Sequence, residues 1–312
     1  MRVLVTGAAG FIGSRLCQRL LDFGIEVHGL DDLSRGSLEK IRMLKNRGML
    51  FHKADIRDGA AVLDVLSDVR PDAVIHLAAL ISVEESMRLP ELYMEVNAEG
   101  TKKLVDAANK AGVNRLVHAS SAAVYGEPVK LPVAEDHPTR PLSPYGLSKL
   151  MSEEYVVSGF MGREKSLIFR IFNVYGPGQR PEYAGVITKF MERLSEGRPP
   201  IIFGDGNQTR DFIHVDDVVE AFIRALEIPL ERATIVNLGS GRPVKIIELA
   251  RIMTRLYGMD AEPIHAPPRP GDIRDSYADI SLVRKVLGWS PRISLEDGLR
   301  KLIKEAGKAR DV

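Results

Sequence analysis

RVLVTGAAGFIG, residues 2–13, joins a β-branched apolar run to a glycine turn and then to the start of an apolar-periodic segment. The run predicts a strand. Phe11, Ile12, Leu16, Leu20 and Leu21 recur at helical spacing and predict a helix. Strand, turn and helix in that order bring backbone N–H groups and a helix N-terminus to one point, where a pyrophosphate can dock. Gly7, Gly10 and Gly13 suit the tight turn, the close phosphate approach and the helix packing, and Phe11 and Ile12 open the helix beside the same site.

Outward from there the alternation repeats. A second apolar run, 26–30, ends at Asp31, close to the ~20-residue offset of the acid that binds ribose hydroxyls. With Asp32 beside it a 2′-phosphate would meet two negative charges, so NAD is expected rather than NADP. MLFHKADIRD (49–58) reads as a strand ending at Asp55 and Ile56, a pair placed to flank an adenine, with Asp58 capping the next helix. DAVIHLAAL (72–80) reads as a buried strand whose Leu77, Ala78 and Ala79 let a cofactor lie against backbone; His76 within it reads as a packed strand-end residue. A long helix is expected over 90–111 with Asn97 inside it, and the strand RLVHASS (115–121) follows. Strands and helices at this pitch predict a parallel sheet covered on both faces, with ligands at the carboxyl ends of the strands. The glycine turn, Asp31, Asp55, Ala78 and Ser121 all fall at such ends.

Residues 120–149 carry the chemistry: SSAAVYG, a polar Pro-rich loop, then SPYGLSK. Ser143 and Pro144 read as N-cap and first helical residue, which sets Tyr145 and Lys149 one turn apart on one face. A phenol is a poor base at neutral pH. A nearby ammonium is expected to favour the phenolate and draw its pKa down, and Ser121 can hydrogen-bond the same substrate oxygen. Taken alone, Tyr and Lys four apart mark any amphipathic helix; the surrounding strand ends give the spacing its meaning.

After SLIFR (166–170), Gly and Pro become frequent and the alternation loosens. A smaller lobe is expected there, closing over the first, with a helix and strand near 213–238 returning to the sheet. Two capped helices are expected near Leu282 and Leu295. In this lobe Arg210 and Arg269 are planar forks suited to a diphosphate, and Phe203 can stack on a base. His214, Asp216 and Asp217 read as capping and packing groups, because no zinc-type ligand spacing is present. No metal is expected.

Across 312 residues the net charge is +1, which argues against a dedicated nucleic-acid or membrane surface. The lone Cys17 excludes a disulfide framework and points to a reducing compartment, and no run approaches a membrane span. A cytoplasmic protein is expected.

TGAAGFIG, DDLSRG, DIRD, HLAA, SSAAVYG, SPYGLSK, RIFNVYGPGQ, GDGNQTRDFIHVDD, NLGSG, RPGD and LGWSP, in this order, resemble the extended short-chain dehydrogenase/reductases that act on nucleotide sugars, within them most nearly the UDP-glucose 4-epimerases. The resemblance runs nearly the whole length. It implies an α/β fold, a Rossmann-type doubly wound sheet over 1–172 and 213–238 with a smaller nucleotide-sugar lobe over 173–212 and 239–312. It implies Ser121, Tyr145 and Lys149 as the catalytic set, with Tyr145 and Lys149 also at NAD. Asn173, Val186, Phe203, Arg210, Arg269 and Asp272 would lie at the UDP-sugar. The resemblance further implies a homodimer that pairs the helices beginning at Pro90 and Pro144 into a four-helix bundle.

Ala122 and Ala123 stand where the sugar 4,6-dehydratases of the family carry an acidic pair, so the chemistry left is oxidation and re-reduction at one carbon. Ser276 stands where glucose-specific members carry a bulky Tyr, which leaves room for an N-acetyl group. The alternatives are a UDP-glucuronate 4-epimerase, a reductase of the same family, or a non-catalytic NAD-binding module; the intact Ser121, Tyr145 and Lys149 weigh against the last.

Overall fold

The computed structural model describes residues 1–162, 165–179, 185–230, 232–268 and 273–307. In chain order the strands are β1 Arg2–Thr6, β2 Glu26–Asp31, β3 Leu50–Lys53, β4 Ala73–His76, β5 Arg115–Ser121, β6 Ser166–Ile171, β7 Asn173–Tyr175, β8 Ile201–Phe203, β9 Thr209–His214, β10 Thr234–Leu238, β11 Pro243–Lys245, β12 Ile264–Ala266 and β13 Asp275–Ser276. A seven-stranded parallel sheet has the order β10-β6-β5-β4-β1-β2-β3. The chain therefore builds outward from β1 to β3, then crosses back to β4 and builds the other way. β1 and β4 flank the point where the order reverses, the position at which such sheets bind ligands.

The central strands are apolar almost throughout because both faces are covered. Val3, Leu4, Val5, Val74, Ile75, Leu116, Val117, Leu167 and Ile168 are wholly buried. One face packs against helices Phe11–Asp22, Leu38–Asn46 and Val215–Arg224. The other packs against Gly59–Val69, Gly100–Lys110 and Pro144–Gly159. Asp58 caps its helix by accepting from the Ala60 and Ala61 amides, and Ser143 caps the Pro144 helix by accepting from Gly146 N at 3.1 Å.

A separate core gathers Tyr175, Ile187, Phe190, Ile202, Leu249, Met253 and Leu299 around the smaller sheets. There β9 pairs with β7, β11 and β13, and β8 pairs with β12. The chain leaves the large sheet at Phe172 and returns with the Val215–Arg224 helix and β10; β9 stays in the small sheet to its end at His214.

Two local expectations change. The helix over 90–111 is not uniform: residues 94–99 form a π-turn between α-helical Pro90–Tyr93 and Gly100–Lys110. Asn97 sits in that turn, with Oδ1 accepting from Leu80 N at 2.8 Å and Nδ2 donating to Leu80 O at 2.9 Å and to Ser148 Oγ at 3.0 Å. The inserted residue lets one side chain pin both the loop after β4 and the Pro144 helix. At the helix Ser281–Leu287, Ile280 occupies the N-cap position and the side chain that meets the first amide comes from one residue earlier, Asp279 Oδ1 accepting from Ser281 N at 2.8 Å, whereas Ser294 caps Leu295–Glu305 as expected.

Candidate active site

The first cavity opens at the switch point, about 230 Å³ in volume. Gly7 and Gly10 come from the turn after β1, Asp31 and Asp32 from the end of β2, Asp55 and Ile56 from beyond β3, and Leu77, Ala78 and Ala79 from beyond β4. Gly7 has φ +71°, and a Cβ there would stand 2.8 Å from Ala78 N. A Cβ on Gly13 would come 2.1 Å from Gly7 O, so this glycine lets the helix close on the turn. Phe11 and Ile12 begin that helix, and Gly10 leaves its first amides without a side-chain cap. Open helix amides beside a floor that excludes side chains fit a dinucleotide phosphate.

The floor is held from beneath. Thr101 Oγ1 donates to Asn97 O at 2.6 Å, so it accepts from His76 Nε2 at 2.9 Å. That assigns the proton to Nε2 and leaves Nδ1 to accept from Thr6 Oγ1 at 2.7 Å. The same Thr6 oxygen accepts from the amides of Leu77 and Ala78, each at 3.2 Å. Burial pushes His76 down to about 3, so the ring stays neutral, as a packed strand-end residue.

Asp31 accepts from Ala9 N at 3.0 Å and Leu33 N at 2.8 Å. Burial raises its carboxyl above the ordinary range, the two amides oppose this, and Asp32 adds repulsion. Arg35 and Arg57 also line this cavity, although each is paired, with Glu85 at 2.9 Å and Asp55 at 2.6 Å. The DDLSRG and DIRD stretches contain both arginines, but pairing could not be read from sequence.

β5 lies between β4 and β6 in the sheet, and its last residue is Ser121. The Ser121 hydroxyl acts on the Tyr145 phenol and favours the phenolate, while Lys149, 3% exposed, lies one turn further along the helix. The expected lowering of the phenol is not found. Burial raises Tyr145, and Lys149 is not among the groups acting on it. Burial also lowers Lys149, to about 8, with the Glu153 carboxylate opposing it. Among the described residues the Lys149 side chain makes no hydrogen bond or ion pair. Desolvation is the largest effect on both groups because each is taken out of water.

Behind these residues a polar seam ties strand to helix. His118 Nε2 meets Ser152 Oγ at 2.8 Å, and Ser152 donates to the carbonyl of Lys149 at 2.6 Å. Ser120 Oγ donates to Glu153, and Glu153 pairs with Arg170 at 2.7 Å. Arg170 in turn stacks over Tyr125, 4.8 Å from its ring centre. Glu153 does not stand out in sequence, because an acid inside a helix carries no spacing signal, and the sequence places Asn97 inside its helix without assigning it a role.

A second cavity of about 200 Å³ lies in the smaller lobe. Asn173, Val186, Phe203 and Arg210 line it together, joined by Gln179 and Gln208, which the motifs contain but the sequence did not mark. Ser276 pairs with Arg210 in the register of β13 and β9. Arg269 and Asp272 lie outside the described residues. His214 Nδ1 accepts from Asp216 N at 3.2 Å, and Asp217 accepts from Arg292 N and Ile293 N, which are capping and packing roles.

The NAD dependent epimerase/dehydratase family matches residues 3–239. The UDP-glucose 4-epimerase of Mycolicibacterium smegmatis is 44% identical over 308 residues, 97% of each chain. The UDP-glucose 4-epimerase of Thermotoga maritima, solved with UDP-glucose, superposes with a TM-score of 0.92 at 38% identity over 99% of both chains. A UDP-N-acetylglucosamine 4-epimerase from Methanobrevibacter ruminantium, solved with UDP-N-acetylmuramic acid, gives 0.89 at 34% identity over 97% of both.

Proposed function

This chain belongs to the NAD dependent epimerase/dehydratase family, and from that premise we propose that it interconverts UDP-hexoses differing at C4, UDP-glucose and UDP-galactose first among them. The observation that carries this reading is the Ser121–Tyr145 hydroxyl pair at the end of β5, between a strand lining the dinucleotide cavity and a strand leading into the second cavity. Gly7, Gly10, Phe11, Ile12, Gly13, Asp31, Asp32, Asp55, Ile56, Leu77, Ala78, Ala79 and Lys149 would hold NAD. Asn173, Val186, Phe203, Arg210, Arg269, Asp272 and Ser276 would hold the nucleotide sugar. Bound NAD supplies the acceptor and donor of a hydride.

Tyr145, once ionised, takes the proton of the C4 hydroxyl, and Ser121 hydrogen-bonds the same oxygen. Loss of that proton together with the C4 hydride would leave a 4-keto sugar attached through its UDP; once its other face is turned, return of the hydride to C4 and of the proton from Tyr145 to the oxygen would give the C4 epimer. Binding energy at the diphosphate, far from C4, holds the intermediate while it turns. Ala122 and Ala123 supply no acid after Ser121 for eliminating water.

The small Ser276 beside Arg210 supports acceptance of an N-acetyl group at C2, so UDP-GlcNAc and UDP-GalNAc are proposed as further substrates. Asp31 with Asp32 supports NAD over NADP. Leu147 and Val157 on the Pro144 helix, 44% and 45% exposed, with Leu89 at 45% beside Pro90, support a homodimer built on these two helices. Buried, unpaired Cys17 fits the proposed cytoplasmic location. Among the described residues no helix is long and apolar enough to cross a membrane.

The test is to incubate pure protein with UDP-galactose, and separately with UDP-GalNAc, without added cofactor, and to identify the products. UDP-glucose formed with no net change in NADH absorbance is expected. Absence of product from UDP-galactose, with NAD bound, refutes the main reading; turnover of UDP-galactose but not UDP-GalNAc refutes the wider substrate range.

A further inference from the structure

The Pro144–Gly159 helix buries Lys149, Ser152, Glu153 and Val156 on one face. Glu153 has a 2% exposed side chain, and its carboxylate is saturated. Ser120 Oγ donates to it, Arg170 Nε lies 3.0 and 3.1 Å from its two oxygens, and Arg170 Nη2 lies 2.7 Å from one of them. An ion pair taken this far from water is seldom more stabilising than two apolar side chains of the same volume, so stability alone does not account for it. Its place does. Glu153 follows Lys149 by one helical turn on the buried face, and the strand that supplies Ser120 supplies Ser121 next.

The groups around the ammonium are few. Tyr145 precedes it by one turn. His76 from β4 and His118 from β5 feel its charge, which adds to burial in lowering both rings. Tyr93, hydrogen-bonded to Glu85 at 2.9 Å, lies edge-on beyond Tyr145 with ring centres 6.3 Å apart. Arg170 stands on the far side of Glu153. Among the described residues Glu153 is the one anion acting on Lys149.

We propose that Glu153 is the positioning residue for Lys149: fixed by Ser120 and Arg170, its carboxylate supplies the buried countercharge that keeps the ammonium protonated at neutral pH behind the phenol. This rests on the reading of Lys149 as the partner of Tyr145 in the proposed reaction. Arg170 orients the carboxylate and Lys149 uses its field.

The test follows Lys149 directly, in protein labelled with ¹³C at lysine Cε, with the resonance identified by Lys149→Arg. The titration midpoint is expected to fall in Glu153→Gln, the direction expected when an opposite charge one helical turn away is lost. It is expected to fall by less in Glu153→Gln/Arg170→Gln, which leaves no lone buried cation and serves if the single variant does not fold. Glu153→Asp should restore most of the midpoint. In an active enzyme the alkaline limb of kcat/KM should move with the resonance. An unchanged midpoint in either folded variant overturns the proposal. Epimerisation with a fixed midpoint sinks this role and leaves the function standing; a moved midpoint in a protein that does not epimerise does the reverse.

Discussion

Replacing Thr6 by valine tests the floor beneath the dinucleotide with little change of shape. Thr6 is wholly buried, and its hydroxyl donates to His76 Nδ1 and accepts from two amides. Valine keeps the volume and the β-branch but removes all three bonds. Leu77 N retains the carbonyl of Thr6 at 3.3 Å, so two groups are left unpaired, His76 Nδ1 and Ala78 N. Each orphaned buried group costs about 1–3 kcal/mol, and Ala78 is only half-buried, which gives a loss of about 2–4 kcal/mol. At about 2.1 cal/mol/K of unfolding entropy per residue over 312 residues, 1 kcal/mol moves the melting midpoint by about 1.5 °C. The expected drop is therefore about 3–6 °C. Thr6→Ser keeps the hydroxyl and should lose less than half as much. Calorimetry of the three proteins, with NAD affinity by titration, measures both effects. NAD should bind more weakly to the valine variant, because Leu77 and Ala78 line its cavity. Equal melting midpoints for wild type and Thr6→Val would refute the hydrogen-bond assignment and, with it, the Nε2–H tautomer of His76.

Three further outcomes are expected. His76 and His214 are pushed down to about 3 and about 4, and His118 well below its usual value, all mainly by burial, so each stays neutral in the folded protein while its unfolded form titrates near 6.5. The unfolded chain thus binds more protons below pH 6.5, and stability is lost as pH falls: about 2 kcal/mol between pH 7 and 6 for the three rings together. Urea unfolding at the two pH values measures this, and equal stability contradicts it. Gly13→Ala forces a Cβ against the Gly7 carbonyl and should cost about 1–3 kcal/mol or more while weakening NAD, visible in the same titration; unchanged NAD affinity counts against the cradle. Tyr145→Phe should leave NAD binding intact and remove nearly all turnover of UDP-galactose, and retained turnover would remove the phenol from the mechanism.

What could be read from the chain alone was whatever depends on local pattern. The glycine turn, the strand ends bearing Asp31 and Ala78, and the Ser143–Pro144 helix start each follow from a few neighbouring residues, and the parallel sheet follows from their alternation. What escaped was set by neighbours distant in sequence. The π-turn at 94–99 coincides with Asn97 bridging Leu80 and Ser148, 17 and 51 residues away. The Glu153–Arg170 pair joins a helix to the strand after it.

The phenol shows the same division most sharply. The spacing of Tyr145 and Lys149 is local and was legible, but the sign of the shift depends on how much water the fold leaves around them, and burial raises the phenol while lowering the ammonium. Burial therefore works against the charged form of both groups. A cationic nicotinamide ring placed beside the phenol adds the charge that the two side chains lack, and favours loss of the phenolic proton at the stage when a base is needed. The low polarity that opposes the phenolate also strengthens the effect of a charge placed beside it, so a cation there acts on the phenol more strongly than it would in water.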